Sequence, residues 1–270
     1  MQYEPIKKSL HGYFAKSLFL RKTFYFLLDL LLLRAWHIKK AINKISSRLS
    51  DNACVLDAGS GFGQYSWRMS SLNDGWKIKA VDINSEQVEE CNDFFKRTGR
   101  SERVKFEICD LTRLNETDIY DFIITIDVME HIEEDDLVFR NFFKAMKTKG
   151  ILLISTPSDK GGSDIHHYEE RSFIDEHVRG GYSIEAMTQK LKEAGFGRID
   201  INYTYGKAGS LSWILSMKYP VIMLNRSYLF LIILPFYYLL ALPLSFILNI
   251  IDLNFKHKTG TGLVVIAEKQ

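Results

Sequence analysis

Two rhythms alternate along this chain. Short, nearly continuous apolar runs at about 53–58, 77–82, 104–108, 122–126, 151–155, 197–204 and 263–267 have the length and content of strands buried on both faces. Between them lie segments with helical spacing: Tyr65–Leu72, a stretch opening at Asn84 or Ser85 with Glu86 and Glu89 in its first turns, Asp135–Lys147, and 184–194 between a Ser183 cap and a Gly195 stop. Strand and helix in turn predict a parallel sheet covered on both faces. Upstream, residues 35–50 place Trp36, Ile38, Ile42 and Ile45 at helical intervals. Residues 157–183 are polar, hold Gly161, Gly162, Gly180 and Gly181 with His166, His167 and His177, and form a connection of the length that usually carries function or disorder.

The turn after the first strand carries the clearest chemistry. Val55-Leu56-Asp57-Ala58-Gly59-Ser60-Gly61-Phe62-Gly63 runs from strand through alternating glycines into a helix. Glycine admits positive φ and close backbone approach, and the following helix turns its free N–H groups toward a ligand. The spacing is G-x-G-x-G, not the dinucleotide G-x-G-x-x-G, and an acid stands two residues before the first glycine. That carboxylate suits a cationic ligand better than a pyrophosphate. Asp82 ends the second strand 23 residues after Gly59, where a doubly wound fold places its ribose acceptor. Asp110 follows the third strand and Asp127 the fourth. Four acids in register on one sheet edge exceed what helix capping requires.

Composition adds one asymmetry. Net charge is +2, but residues 1–50 carry +8 from ten Lys/Arg against two acids, leaving −6 for the rest. The basic segment implies an anionic partner. Its aromatic content fits lipid better than nucleic acid, and no nucleic acid is expected. Residues 13–34 are apolar and aromatic, interrupted by Lys16, Arg21, Lys22 and Asp29. They read either as an amphipathic helix in a lipid interface or as helices packed over the chain's own sheet. No small-residue cleavage site follows, so a signal peptide is not expected. Cys54, Cys91 and Cys109 lack metal spacing; the expectation is buried thiols in a reducing compartment, and no metal.

With Val81-Asp82, Cys109-Asp110-Leu111 and Asp127-Val128-Met129-Glu130-His131-Ile132 beside the glycine turn, residues of about 50–205 and 260–270 resemble the class I S-adenosylmethionine-dependent methyltransferases, in particular the quinone-biosynthesis and other small-molecule group. The resemblance implies a Rossmann-like α/β fold. Its mixed sheet has seven strands, the last antiparallel between strands five and six, with helices on both faces. It also implies S-adenosyl-L-methionine as cofactor. Asp57 with Gly59, Ser60, Gly61 and Gly63 would flank the methionine moiety, Asp82 and Ile83 the ribose, and Asp110 and Leu111 the adenine end. Asp127 and Val128 would line the sulfonium and acceptor. The sulfonium methyl is already electrophilic, so direct displacement mainly needs alignment, worth roughly 7–11 kcal/mol. A general base would add roughly 10²–10⁴-fold where the acceptor must lose a proton; His131, His166 and His167 are the candidates.

The chain departs from that family between strands six and seven. Residues 206–261 replace a short connection, and Ser227–Ile251 contains no charge. About 20 apolar residues suffice to cross a bilayer. A single crossing would strand the seventh strand on the wrong side, and Pro235 and Pro243 should break or kink one helix. The expectation is a helical hairpin or kinked pair dipping into one leaflet beside the cofactor mouth. A self-packed cap or homodimer interface is the alternative. The organisation is thus N-terminal helices over 1–50 and a methyltransferase domain over 51–270 that includes the insertion. The activity expected is methyl transfer to a hydrophobic or lipid-linked small molecule at the cytoplasmic face of a membrane. The rivals are a soluble acceptor and a non-catalytic cofactor-binding scaffold.

Overall fold

The computed structural model describes residues 17–161, 178–227 and 229–270. The apolar runs become β1 (Cys54–Ala58), β2 (Lys77–Asp82), β3 (Val104–Ile108), β4 (Tyr120–Ile126), β5 (Met146–Pro157), β6 (Arg198–Thr204) and β7 (Gly262–Glu268). They form one sheet in the order β3-β2-β1-β4-β5-β7-β6. β7 lies antiparallel between β5 and β6 and the other pairings are parallel, giving the Rossmann-like mixed sheet the motifs imply.

One face is covered by α2 (Leu33–Ser46), α3 (Gln64–Leu72) and α4 (Ser85–Arg97), which bury Ile38, Ile42, Met69, Phe94 and Phe95. The other is covered by α5 (Asp135–Ala145) and α6 (Ile184–Ala194), which bury Phe139, Phe142, Met187 and Leu191. The local signals act as anticipated. Asn84 caps α4 by accepting from Gln87 N at 3.1 Å, and Ser183 caps α6 by accepting from Ala186 N at 3.0 Å. Gly195 closes α6 in the left-handed region at φ 109°.

The first described helix, α1 (Leu18–Leu31), packs back onto the sheet layer instead of lying free. Arg21, expected among the interfacial basic residues, is buried. It donates to the backbone oxygens of Phe62 (3.0 Å) and Glu90 (3.1 Å), to Cys91 Sγ (3.0 Å) and to the Tyr25 hydroxyl (2.9 Å). A guanidinium aimed inward satisfies carbonyls a lipid headgroup could not reach. Its opposite face leaves Phe19, Leu20, Phe26 and Leu27 exposed. Cys91 is the buried thiol, pushed up to about 12 by burial and therefore inert; Cys54 and Cys109 are only half-buried.

Residues beyond β6 form the helical hairpin expected, with one correction. α7 (Lys207–Trp213) passes through a π-helical turn (Ile214–Lys218) into α8 (Tyr219–Arg226), and α9 (Phe230–Asn254) returns to β7. α9 runs unbroken through Pro235 and Pro243. Each proline removes one main-chain bond from a helix of 25 residues, and contacts along its length hold the rest. Those contacts have a cause. The Tyr219 N–H bonds to the Ile214 carbonyl, five residues back, and Pro220 has no N–H to offer. The Leu215 and Ser216 carbonyls thereby lose their usual partners. The hydroxyls of Tyr237 and Tyr238 on α9 donate to these two oxygens, at 2.6 and 3.0 Å.

At its root the hairpin is fastened by Asp252, which is fully buried. Its carboxylate accepts from Gly209 N (3.0 Å) and Tyr205 N (3.2 Å), and meets Nε2 of His37 at 2.9 Å and of His257 at 3.2 Å.

Candidate active site

The site is the carboxyl edge of β1, β2, β3 and β4. Gly59, Gly61 and Gly63 all take positive φ, at 77°, 49° and 75°. Gly59 is required twice over: besides its φ, a Cβ there would lie 2.2 Å from Val128 Cγ2. The glycine turn and the loop after β4 thus touch at a point where no side chain fits. Gly61 instead faces open space, with only Gln87 Oε1 at 3.9 Å from a built Cβ. Beside it the Ser60 hydroxyl is buried and has no hydrogen-bond partner among the described residues. An open backbone edge beside an unsatisfied hydroxyl is what a bound polar ligand would complete.

The structure distributes the four acids differently around this turn. Asp57 is buried and accepts from Ser66 Oγ at 2.6 Å. Burial pushes its carboxyl up to about 6, against the opposing Ser66 bonds, with Asp82 adding a smaller push in the same direction. Asp82 accepts Gly61 N (2.8 Å) on one oxygen and Asn84 N (2.9 Å) on the other. Each carboxylate oxygen keeps a further lone pair for a ribose hydroxyl. Asp110 caps the short turn Leu111–Arg113, accepting both the N–H and the hydroxyl of Thr112 on Oδ1, and these bonds lower its carboxyl. Its Oδ2 faces Arg113 Nε only at 3.9 Å. Ile83 is 76% exposed and offers an apolar platform at the rim. The Leu111 side chain, by contrast, is buried in the core.

Asp127 stands in the left-handed region at φ 54° and forms an ion pair with Arg34 of α2. Two residues on, the short turn Met129–His131 buries Glu130, whose carboxyl is raised by burial and accepts from Thr156 Oγ1 at 3.2 Å. His131 is half-buried at the end of that turn. His166 and His167, with His177, lie outside the described residues. The ends of their connection are fastened, Asp159 N donating to Tyr182 O (3.0 Å) and Val178 N to Glu130 O (3.1 Å). Among the described residues no cluster could hold a metal ion.

Several contributors carry no motif. Arg21 and Tyr25 both donate to the Phe62 carbonyl, gripping the glycine turn from behind. Asp29 accepts from Gln64 Nε2 at 2.6 Å, tying α1 to the first residue of α3. Arg34 pairs with the rim acid Asp127. The trace that Arg21, Asp29 and Arg34 leave in the sequence is charge in otherwise apolar surroundings.

This arrangement agrees with comparisons to known proteins. A family model described as a methyltransferase domain matches residues 49–196, more than half of the chain. A phosphoethanolamine N-methyltransferase 1 of Triticum aestivum is 26% identical over 159 residues, which are 58% of this chain and 30% of that protein. A ubiquinone biosynthesis O-methyltransferase of Rickettsia canadensis (strain McKiel) is 26% identical over 117 residues, 43% of this chain and 48% of its own. The chain therefore spans less than half the length of either relative. In structure it is similar to phosphoethanolamine N-methyltransferase 2 of Haemonchus contortus in complex with S-adenosyl-L-methionine. The TM-score is 0.62 at 19% identity, covering 87% of this chain and 52% of that one. With the glycine turn and its rim of acids in place, the chain belongs to the methyltransferase-domain family.

Proposed function

We propose that this chain is an S-adenosylmethionine-dependent methyltransferase acting on a hydrophobic or lipid-linked small molecule taken from the cytosolic leaflet of a membrane. The observation that carries the reading is the outer face of α9. Along it Leu231, Ile232, Phe236 (72% exposed), Leu239, Leu240 (78% exposed), Leu244, Ile247 and Ile250 face outward together. Among the described residues α9 is the one helix long and apolar enough to cross a bilayer. At about 1.5 Å per residue it reaches roughly 37 Å. Surfaces of this kind mark membrane or protein contacts. Both hairpin roots lie at the sheet edge that carries the acids, and the exposed Phe19 and Phe26 of α1 add to the apolar surface of the N-terminal helices.

S-adenosylmethionine supplies an electrophilic methyl on a sulfonium. The unsatisfied Ser60 hydroxyl, the open side of Gly61 and the spare lone pairs of Asp82 fit its polar groups. Asp57 opposes its cationic ammonium end. Asp82 takes ribose hydroxyls, with Ile83 and Asp110 at the base. Asp127, Val128 and His131 border the acceptor, where His131 takes a proton if the acceptor is a hydroxyl. The hairpin excludes water from that side and presents the acceptor.

The test is mass spectrometry of a membrane-lipid extract incubated with protein and methyl-labelled donor, alongside vesicle flotation. Label entering a lipid-soluble product, with protein floating with the vesicles, supports the reading. Label confined to water-soluble products and a soluble homodimer without detergent would replace it with the interface reading.

A further inference from the structure

α1 and α2 meet at Leu32, whose extended backbone (φ −91°, ψ 114°) turns the chain so that Arg34 is the second residue of α2. The Arg34 N–H donates to the Tyr205 hydroxyl at 3.0 Å, at the end of β6. Its guanidinium reaches to the end of β4, where it pairs with Asp127. One helical turn on, His37 of the same helix holds Asp252 at the hairpin root. Arg34 therefore stands between the apolar hairpin and the acidic rim. An acceptor entering from the hairpin side meets it on the way.

The guanidinium is not used up by its protein contacts. Nε is buried and has no hydrogen-bond partner among the described residues. The side chain keeps 35% of its surface exposed, and Asp127 keeps 32%. The Tyr65 hydroxyl is buried within hydrogen-bonding reach of the guanidinium, and Glu130 lies within electrostatic reach. Arginine offers five donors in a planar fork, which a carboxylate or phosphate can take two at a time. The family resemblance also sets Asp127 beside the cationic sulfonium, so its charge is shared. Arg34 thereby retains cationic capacity on the acceptor side.

We propose that Arg34 anchors an anionic oxygen group, a phosphate or carboxylate, carried by the methyl acceptor, holding it at the junction of hairpin and rim. This rests on the apolar-acceptor reading for the source of the anion, though not for the anion site itself. The alternative is an ion pair that merely closes α2 onto β4.

Binding to the full-length protein in detergent, saturated with S-adenosylhomocysteine, separates these. The probes are hexyl phosphate, hexanol and inorganic phosphate, titrated by calorimetry against wild type, Arg34→Gln and Arg34→Lys. Hexyl phosphate is expected to bind about tenfold tighter than hexanol to wild type. That advantage should disappear in Arg34→Gln and return in part in Arg34→Lys, which keeps the charge but not the fork. Retained S-adenosylhomocysteine binding certifies that each variant is folded. Equal binding of hexyl phosphate and hexanol to wild type, or a phosphate advantage that survives Arg34→Gln, overturns the assignment while leaving the apolar acceptor standing. Inorganic phosphate binding as tightly as hexyl phosphate, and lost in Arg34→Gln, keeps the anion site and overturns the apolar source.

Discussion

Replacing Asp57 by Asn probes the most constrained group of the site. The carboxyl is buried on β1 and its pKa is raised from 3.8 to about 6, chiefly by desolvation. A raised carboxyl pKa means the fold favours the protonated form. Its contribution is intact below pH 3.8 and is lost as pH rises through about 6. A shift of that size amounts to about 3 kcal/mol, at roughly 1.4 kcal/mol per unit. About half of this is felt by pH 5 and nearly all of it above pH 7. Asparagine resembles the protonated group and can still accept from Ser66 Oγ, which now bonds Asp57 at 2.6 Å. Asp57→Asn should therefore melt above wild type at pH 7.5, by up to about 6–12 °C for a chain of this size. The gap should narrow steadily toward pH 4. Binding should move the opposite way. Calorimetry with S-adenosylhomocysteine should show wild-type affinity rising as pH climbs from 5 to 7, because the ionised carboxylate attracts the ligand's ammonium. The variant should bind more weakly and without that step. A variant that melts below wild type at pH 7.5, or that keeps the wild-type pH dependence of binding, would refute the reasoning.

Three other outcomes follow from the geometry. Gly59→Ala places a Cβ 2.2 Å from Val128 Cγ2 at a φ of 77°, whereas Gly61→Ala meets nothing within 3.9 Å. Chemical denaturation should find Gly59→Ala destabilised by well over 2 kcal/mol and Gly61→Ala by about 1 kcal/mol. Asp82→Ala removes the acceptor for Gly61 N and the one proposed for the ribose hydroxyls, so calorimetry should find S-adenosylhomocysteine binding lost; unchanged affinity would move the ribose elsewhere. Phe236→Ser with Leu240→Ser alters only exposed α9 positions. The melting temperature should hold while vesicle flotation drops several-fold, and undiminished flotation would count against α9 as the lipid contact.

What the chain encodes locally could be read from it directly. Strand positions, the Asn84 and Ser183 caps and the Gly195 stop depend on φ, ψ and hydrogen bonds within a few residues. The register of Asp57, Asp82, Asp110 and Asp127 along one edge follows from strand ends and parallel pairing. A hairpin between β6 and β7 followed from an uncharged stretch whose two ends join one sheet. Only the tertiary structure decided where the charges inside apolar segments point. Arg21 finds partners 41, 69 and 70 residues away, Arg34 meets a hydroxyl 171 residues on, and His37 reaches 215 residues to Asp252. Helical periodicity places a cation on a face but says nothing of what that face meets. The unbroken α9 has the same origin, since the tyrosine hydroxyls supporting the neighbouring π turn become partners only once the two helices pack together.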